Sequence, residues 1–119
     1  MKKTLILGAT TNPTRYAYLA ANRLVTYGHQ IINVGIKSGE VAGQPIEKPI
    51  HIYKHIDTIT LYLGPQNQKE YYNYILQTNP KRIIFNPGTE NAELESLAVQ
   101  NGIEVQEACT LVLLSTNQY

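Results

Sequence analysis

The sequence predicts a single three-layer α/β domain over residues 1–119, built on a mostly parallel sheet of about five strands. Three observations predict it. Short runs rich in Ile, Leu and Val alternate with segments of helical period along the whole chain. Those runs are apolar at consecutive positions, as strands buried on both faces require. Glycine, asparagine and proline punctuate the junctions, where the chain must turn.

The first strand is Thr4–Leu7, ended by Gly8. A helix is predicted from about Pro13 to Tyr27, because Asn12 suits an N-cap and proline wastes no N–H at the first helical position. Tyr16, Leu19, Ala20, Leu24 and Tyr27 share a face of it, and Gly28 stops it. Strand Ile31–Val34 follows, then a loop with Gly35, Gly39 and Gly43 and a short extended piece at Ile50–Tyr53. The third strand is Thr58–Leu63, broken by Gly64-Pro65. Asn67 and Glu70 have capping-box spacing, opening a helix whose Tyr71, Tyr72, Ile75 and Leu76 share a face. Asn79-Pro80 ends it before strand Arg82–Phe85. Leu94, Leu97 and Ala98 mark a further helix, stopped by Gly102, and Ile103–Val105 is the last strand. This alternation is that of a Rossmann-like parallel sheet with right-handed crossovers.

Bulk composition narrows the functional classes. Apolar residues make up 43% and charged ones 16%, enough for a core. The formal net charge is +1, with the charges of both signs interspersed, which argues against a nucleic-acid partner. The N-terminal apolar run is too short for a signal peptide, and no stretch is long enough to cross a membrane, so a cytoplasmic protein is expected. Cys109 has no second cysteine to pair with.

In such sheets ligands bind beyond the carboxyl ends of the strands. The first such loop, Gly8-Ala9-Thr10-Thr11-Asn12-Pro13, has a glycine directly after the strand but lacks the rest of a dinucleotide fingerprint. It remains a good anion site, since a helix start offers free N–H groups and a positive dipole end. Thr10, Thr11 and Asn12 either cap the helix or face a phosphate, and the strand–glycine–helix context favours the phosphate. Arg15, a cation at that helix start, opposes the dipole until an anion arrives. Lys37, two residues beyond Gly35, stands where an NAD-binding domain carries an acid for the ribose hydroxyls. A basic residue there suits a ribose phosphate, as in NADP or coenzyme A. His29, His51 and His55 have no metal-ligand spacing, and no nucleophile elbow or Walker lysine is present. Cys109 follows the last strand at the same edge.

Together Gly8–Pro13, Val34-Gly35-Ile36-Lys37, Leu61-Tyr62-Leu63-Gly64-Pro65, Phe85-Asn86-Pro87-Gly88 and Glu107-Ala108-Cys109-Thr110 resemble the small stand-alone CoA-binding-domain proteins. That family is similar to the N-terminal domain of the succinyl-CoA ligase alpha subunit. The resemblance implies that Thr10, Thr11, Asn12 and Pro13 line the diphosphate and that Lys37 faces the phosphorylated adenosine end. It also implies that Pro65 flanks the pantetheine arm, with Asn86 and Pro87 along it towards the thiol; Cys109, at the ligand edge, is either a packing residue or a candidate for the thiol end. Thr11 replaces a glycine of the ligase loop, and the segment after Lys37 is shorter than the ligase's. None of His29, His51 and His55 matches the ligase's phosphohistidine, which belongs to a second domain. The expectation is therefore a module that binds coenzyme A or an acyl-CoA without catalysis of its own. Two rivals remain: an NADP-dependent oxidoreductase, and an interaction domain without a ligand that uses the tyrosine-rich helix. A protein partner or homo-oligomer is left open.

Overall fold

A computed structural model describes all 119 residues. The chain runs β1 (Thr4–Leu7), α1 (Tyr16–Thr26), β2 (Ile31–Val34), β3 (Glu40–Val41), β4 (Gln44–Glu47) and β5 (Thr58–Leu61). Two 3-10 turns, Pro65–Asn67 and Lys69–Tyr71, lead into α2 (Tyr72–Thr78), followed by β6 (Arg82–Phe85), α3 (Ala92–Gln100), β7 (Glu104–Glu107) and α4 (Thr110–Ser115). The sheet order is β3-β4-β2-β1-β5-β6-β7. Every pairing is parallel except β3 with β4. Counting the parallel strands alone, the order is 3-2-1-4-5-6, that of doubly wound nucleotide-binding sheets. Its winding reverses at β1, which pairs with β2 on one side and β5 on the other.

The sheet thus has seven strands, not about five. The two extra ones are the hairpin β3–β4, made from the glycine-bearing loop after Lys37. Its two-residue turn, Ala42-Gly43, places both residues at positive φ (52° and 82°), the twist that hairpins favour. Pro45 is tolerated because β4 meets only this two-residue edge strand on that side. The expected extended piece at Ile50–Tyr53 forms no strand.

Alternation sorts the side chains. Leu5, Leu7, Ile59, Leu61, Ile83 and Phe85 join Ile75 of α2 and Leu94 and Ala98 of α3 in one core cluster. Ile6, Ile31 and Ile46 meet Ala17, Ala21 and Leu24 of α1 and Leu114 of α4 on the other face. The buried stripe of α1 is therefore Ala17, Ala20, Ala21 and Leu24: of the expected face Ala20 and Leu24 are buried, whereas Tyr16, Leu19 and Tyr27 are exposed. Small residues let the helix lie close to the sheet, and the tyrosines cannot fit there. Gly28 ends α1 as expected, at φ 87° with its N–H on the Val25 carbonyl.

Candidate functional site

Two glycines bring the loops beyond β1, β2 and β5 together. Gly8 has φ 101°, and a Cβ there would lie 3.0 Å from the Tyr62 carbonyl carbon and oxygen, so only glycine allows this turn so close to the next strand. The amides of Gly8 and Ala9 both donate to the Val34 carbonyl at 2.9 Å. A Cβ at Gly35 would stand 2.7 Å from the Ala9 carbonyl oxygen. The β1 and β2 loops are thereby locked side by side.

The helix expected from Pro13 begins only at Tyr16. Arg15 occupies the N-cap with extended backbone and no side-chain cap. Asn12 makes a local turn instead: its Oδ1 accepts from the Thr14 amide at 3.0 Å and the Thr14 hydroxyl at 2.7 Å. The Asn12 amide donates to Thr10 Oγ1 at 3.1 Å, and the Arg15 amide to the Asn12 carbonyl at 3.1 Å. The amides of Thr10, Thr11, Tyr16, Ala17 and Tyr18 have no internal acceptor. Two N–H groups of the β1–α1 loop and three of the first turn of α1 thus lack an internal partner, as an anion site requires.

These loops wall a groove at the switch point. Its first part is a cavity of about 480 Å³ between the loops after β1 and β2 and the 3-10 turns. It continues over the start of α1 and the loop after β6 into a second part of about 560 Å³, with Gly8, Thr10, Arg15, Leu63 and Asn67 common to both. Arg15 and Lys37 supply the cations and Glu70 the one acid of the first part, with Ile36, Pro49 and Tyr71 as its larger apolar surfaces. Burial raises the pKa of Tyr71 and pushes that of Tyr62, in the second part, up to about 12. Both phenols therefore keep their protons at neutral pH and act as hydrogen-bond groups, not bases.

The wall opposite α1 is held by a side chain that never reaches the groove. Gln68 is fully buried, its Nε2 donating to the Leu63 and Thr89 carbonyls at 2.8 Å each, and its Oε1 accepting from Asn91 at 2.9 Å. It fixes the loop after β5 against the loop after β6. Asn67 and Glu70, expected as a capping box, lie in the 3-10 turns and line the groove instead. The helix N-cap made by a side chain is Asn91, whose Oδ1 accepts from the amides of Glu93 and Leu94.

Residues 2–115 match the CoA binding domain family. The chain belongs to that family. A crystal structure of a protein described only as uncharacterized is similar over its whole length, with 57% identity, a TM-score of 0.98, and coverage of 100% of this chain and 98% of that one. More distant likenesses, which show the fold alone, include cell-free ID.343 from Thermus thermophilus (20% identity, TM-score 0.88, covering 99% and 90%). A hypothetical protein from Pyrococcus horikoshii OT3 is similar at 24% identity and TM-score 0.88, covering 97% and 82%. No curated protein matches the chain.

For this CoA-binding-domain chain, the residues singled out by sequence divide into two groups. Gly8, Ala9, Thr10, Thr11, Arg15, Gly35 and Lys37 line the first part of the groove, and Pro87 the second. Asn12, Pro13, Pro65, Asn86 and Cys109 line neither part. Pro65 opens a 3-10 turn, and Cys109 is the half-buried N-cap of α4. Asn86 is 3% exposed and turned inward. It donates to the Thr60 hydroxyl and the Leu61 carbonyl and accepts from the Thr110 amide, joining β5, β6 and α4. Sequence reading missed Ile36, Pro49, Asn67, Glu70 and Tyr71 as lining residues. Ile36 is 72% exposed beside Lys37, and a large apolar residue in a glycine-bounded loop was the available signal.

Thr11, the departure from the ligase glycine, has its own accommodation. A Cβ at Gly39 would come within 2.4 Å of Thr11 Cγ2, so the threonine methyl fills the space that a side chain at 39 would take.

Proposed function

We propose that the chain binds coenzyme A or an acyl-CoA in this groove, as a cytoplasmic sensing, buffering or carrier module without catalysis of its own. The observation that carries the reading is the pairing of free amides with cations. The Thr10 and Thr11 N–H groups share a cavity with Arg15 and Lys37, and the first-turn amides of α1 open beside it. Such a set fits a diphosphate over the β1–α1 loop and a ribose phosphate at Lys37. The pantetheine arm would then pass Leu63 and Pro87 in the second part of the groove. His29, His51 and His55 all lie outside the lining. The doubly wound strand order places this groove at the switch point where such sheets bind ligands.

A thermal-shift panel of CoA, acetyl-CoA, succinyl-CoA, NADP and NAD tests it. A ligand at about 100 times its dissociation constant should stabilise the fold by about 2.7 kcal/mol. A shift with one or more CoA species and none with NAD is the expected result. Stabilisation by NADP alone would replace this reading with that of an oxidoreductase.

A further inference from the structure

A second concavity lies at the opposite end of the sheet, under the amino ends of β1, β5 and β6. Its volume is about 750 Å³, and its lining includes the amino-terminal residue Met1, Lys3, Lys54, Lys81 and Asp57, with His55 beside them. The chain as a whole carries ten Lys and Arg against nine Asp and Glu, so three lysines around one carboxylate is a local separation of charge. Asp57 is already engaged, its Oδ1 accepting from the Thr58 hydroxyl at 2.7 Å. The Lys3 ammonium donates to the Lys54 carbonyl at 3.3 Å, which holds two of the cationic residues together. His55, on the same lining, is an exposed non-glycine residue at φ 61°, a conformation that costs free energy and recurs at ligand sites.

The carboxyl end of α2 also faces this cavity through Thr78 and Asn79, and a helix carboxyl end repels anions. That end carries roughly half a negative charge. The Asn79 amide reduces it further by donating to the Ile75 and Leu76 carbonyls. Against that partial charge and Asp57, the lining sets three lysines. Ile52 and Tyr53 add apolar surface on the same wall. The size is that of a small-ligand pocket.

We propose that this cavity is a second ligand site, for a small organic phosphate whose phosphoryl group lies among Lys3, Lys54 and Lys81 and whose apolar part rests on Ile52 and Tyr53. Anion binding there relieves the mutual repulsion of the lysines. The site shares no residue with the CoA groove, so each can fail without the other.

Amide NMR of the labelled protein, titrated with pyrophosphate and with phenyl phosphate at low salt, tests the proposal. Saturable shifts at residues 52–57, Asn79 and Lys81 are expected with both probes. The exposed pair Lys54→Gln/Lys81→Gln should weaken both about tenfold or more, through loss of two charge-assisted contacts. Its affinity for CoA should not change. Shifts confined to Gly8–Arg15, shifts that never saturate, or undiminished affinity in the double variant would each overturn the site.

Discussion

Lys37 and Arg15 line one cavity, yet they face different parts of the proposed ligand and can be told apart by chemistry. A lysine facing the 3′-phosphate of CoA makes a charge-assisted contact of about 1.5–3 kcal/mol. The protein should therefore prefer CoA to dephospho-CoA by roughly tenfold to a hundredfold, and Lys37→Ala should remove the preference. Calorimetry on the four combinations closes the cycle, and an equal loss of affinity for both ligands would move the adenosine end elsewhere. Arg15 sits at the amino end of α1 without a side-chain cap, where its charge opposes the helix dipole. Arg15→Glu should leave the unliganded fold as stable or slightly more stable in urea, while weakening CoA binding. A marked loss of stability would make Arg15 structural. Both residues were legible because their chemistry follows from their place after a strand. Asn86 was not: it too follows a strand, but its side chain turns inward to the Thr60 hydroxyl and the Thr110 amide. A loop position read from sequence gives the residue, and only packing gives its direction.

Among the elements, β1, β2 and β6 have the bounds their apolar runs predict, because each run is buried and bounded by a turn. The hairpin β3–β4 was illegible for the opposite reason: Glu40, Gln44, Pro45 and Glu47 leave no apolar alternation to detect. Its Ala42-Gly43 turn also lacks the Asn or Asp that marks most such hairpins. The short helix α4, six residues long, gives too little sequence for a helical period to emerge. The groove suffers from both effects, since Asn67, Glu70 and Tyr71 come from 3-10 turns that a helical reading obscures. The hairpin nonetheless shapes the binding loop, through Gly39 beside Thr11. Gly39→Ala should strain this contact by about 1–3 kcal/mol and lower CoA affinity. Adding Thr11→Ser removes the clashing methyl and should restore part of both. Restoration should stay incomplete because Gly39 has φ 155°, which strains any residue with a Cβ. Urea melts of the three variants decide it, and strictly additive losses would separate the two residues.

Across the whole molecule, Tyr119 draws distant parts of the chain together, among residues that lie outside the switch-point groove. Its hydroxyl pairs with that of Thr4 at 2.5 Å, its ring lies 4.9 Å from the His29 ring, and the Arg82 guanidinium sits 4.6 Å over its face. His29 Nδ1 accepts from the Lys2 amide at 2.9 Å, a bond that only the ring with that nitrogen unprotonated can make. Burial lowers the His29 pKa, and the positive charges of the amino terminus, Lys2 and Arg82 lower it further, with Asp57 opposing. The unfolded chain, with its histidine near the ordinary value of about 6.5, takes up the proton first. Stability from this contact is therefore complete above that value and is lost as pH falls through it towards the lower folded pKa. Glu95 works in the opposite sense, because burial and then Glu107 raise its pKa, so its contribution is present in acid and lost as pH rises. It cannot account for a loss on acidification. A glutamine at position 29 can offer its amide oxygen to the Lys2 N–H without titrating. Urea unfolding at about pH 7.5 and about pH 5.5 should show a larger loss of stability in the wild type than in His29→Gln. Equal losses in the two proteins would place the acid sensitivity outside this cluster.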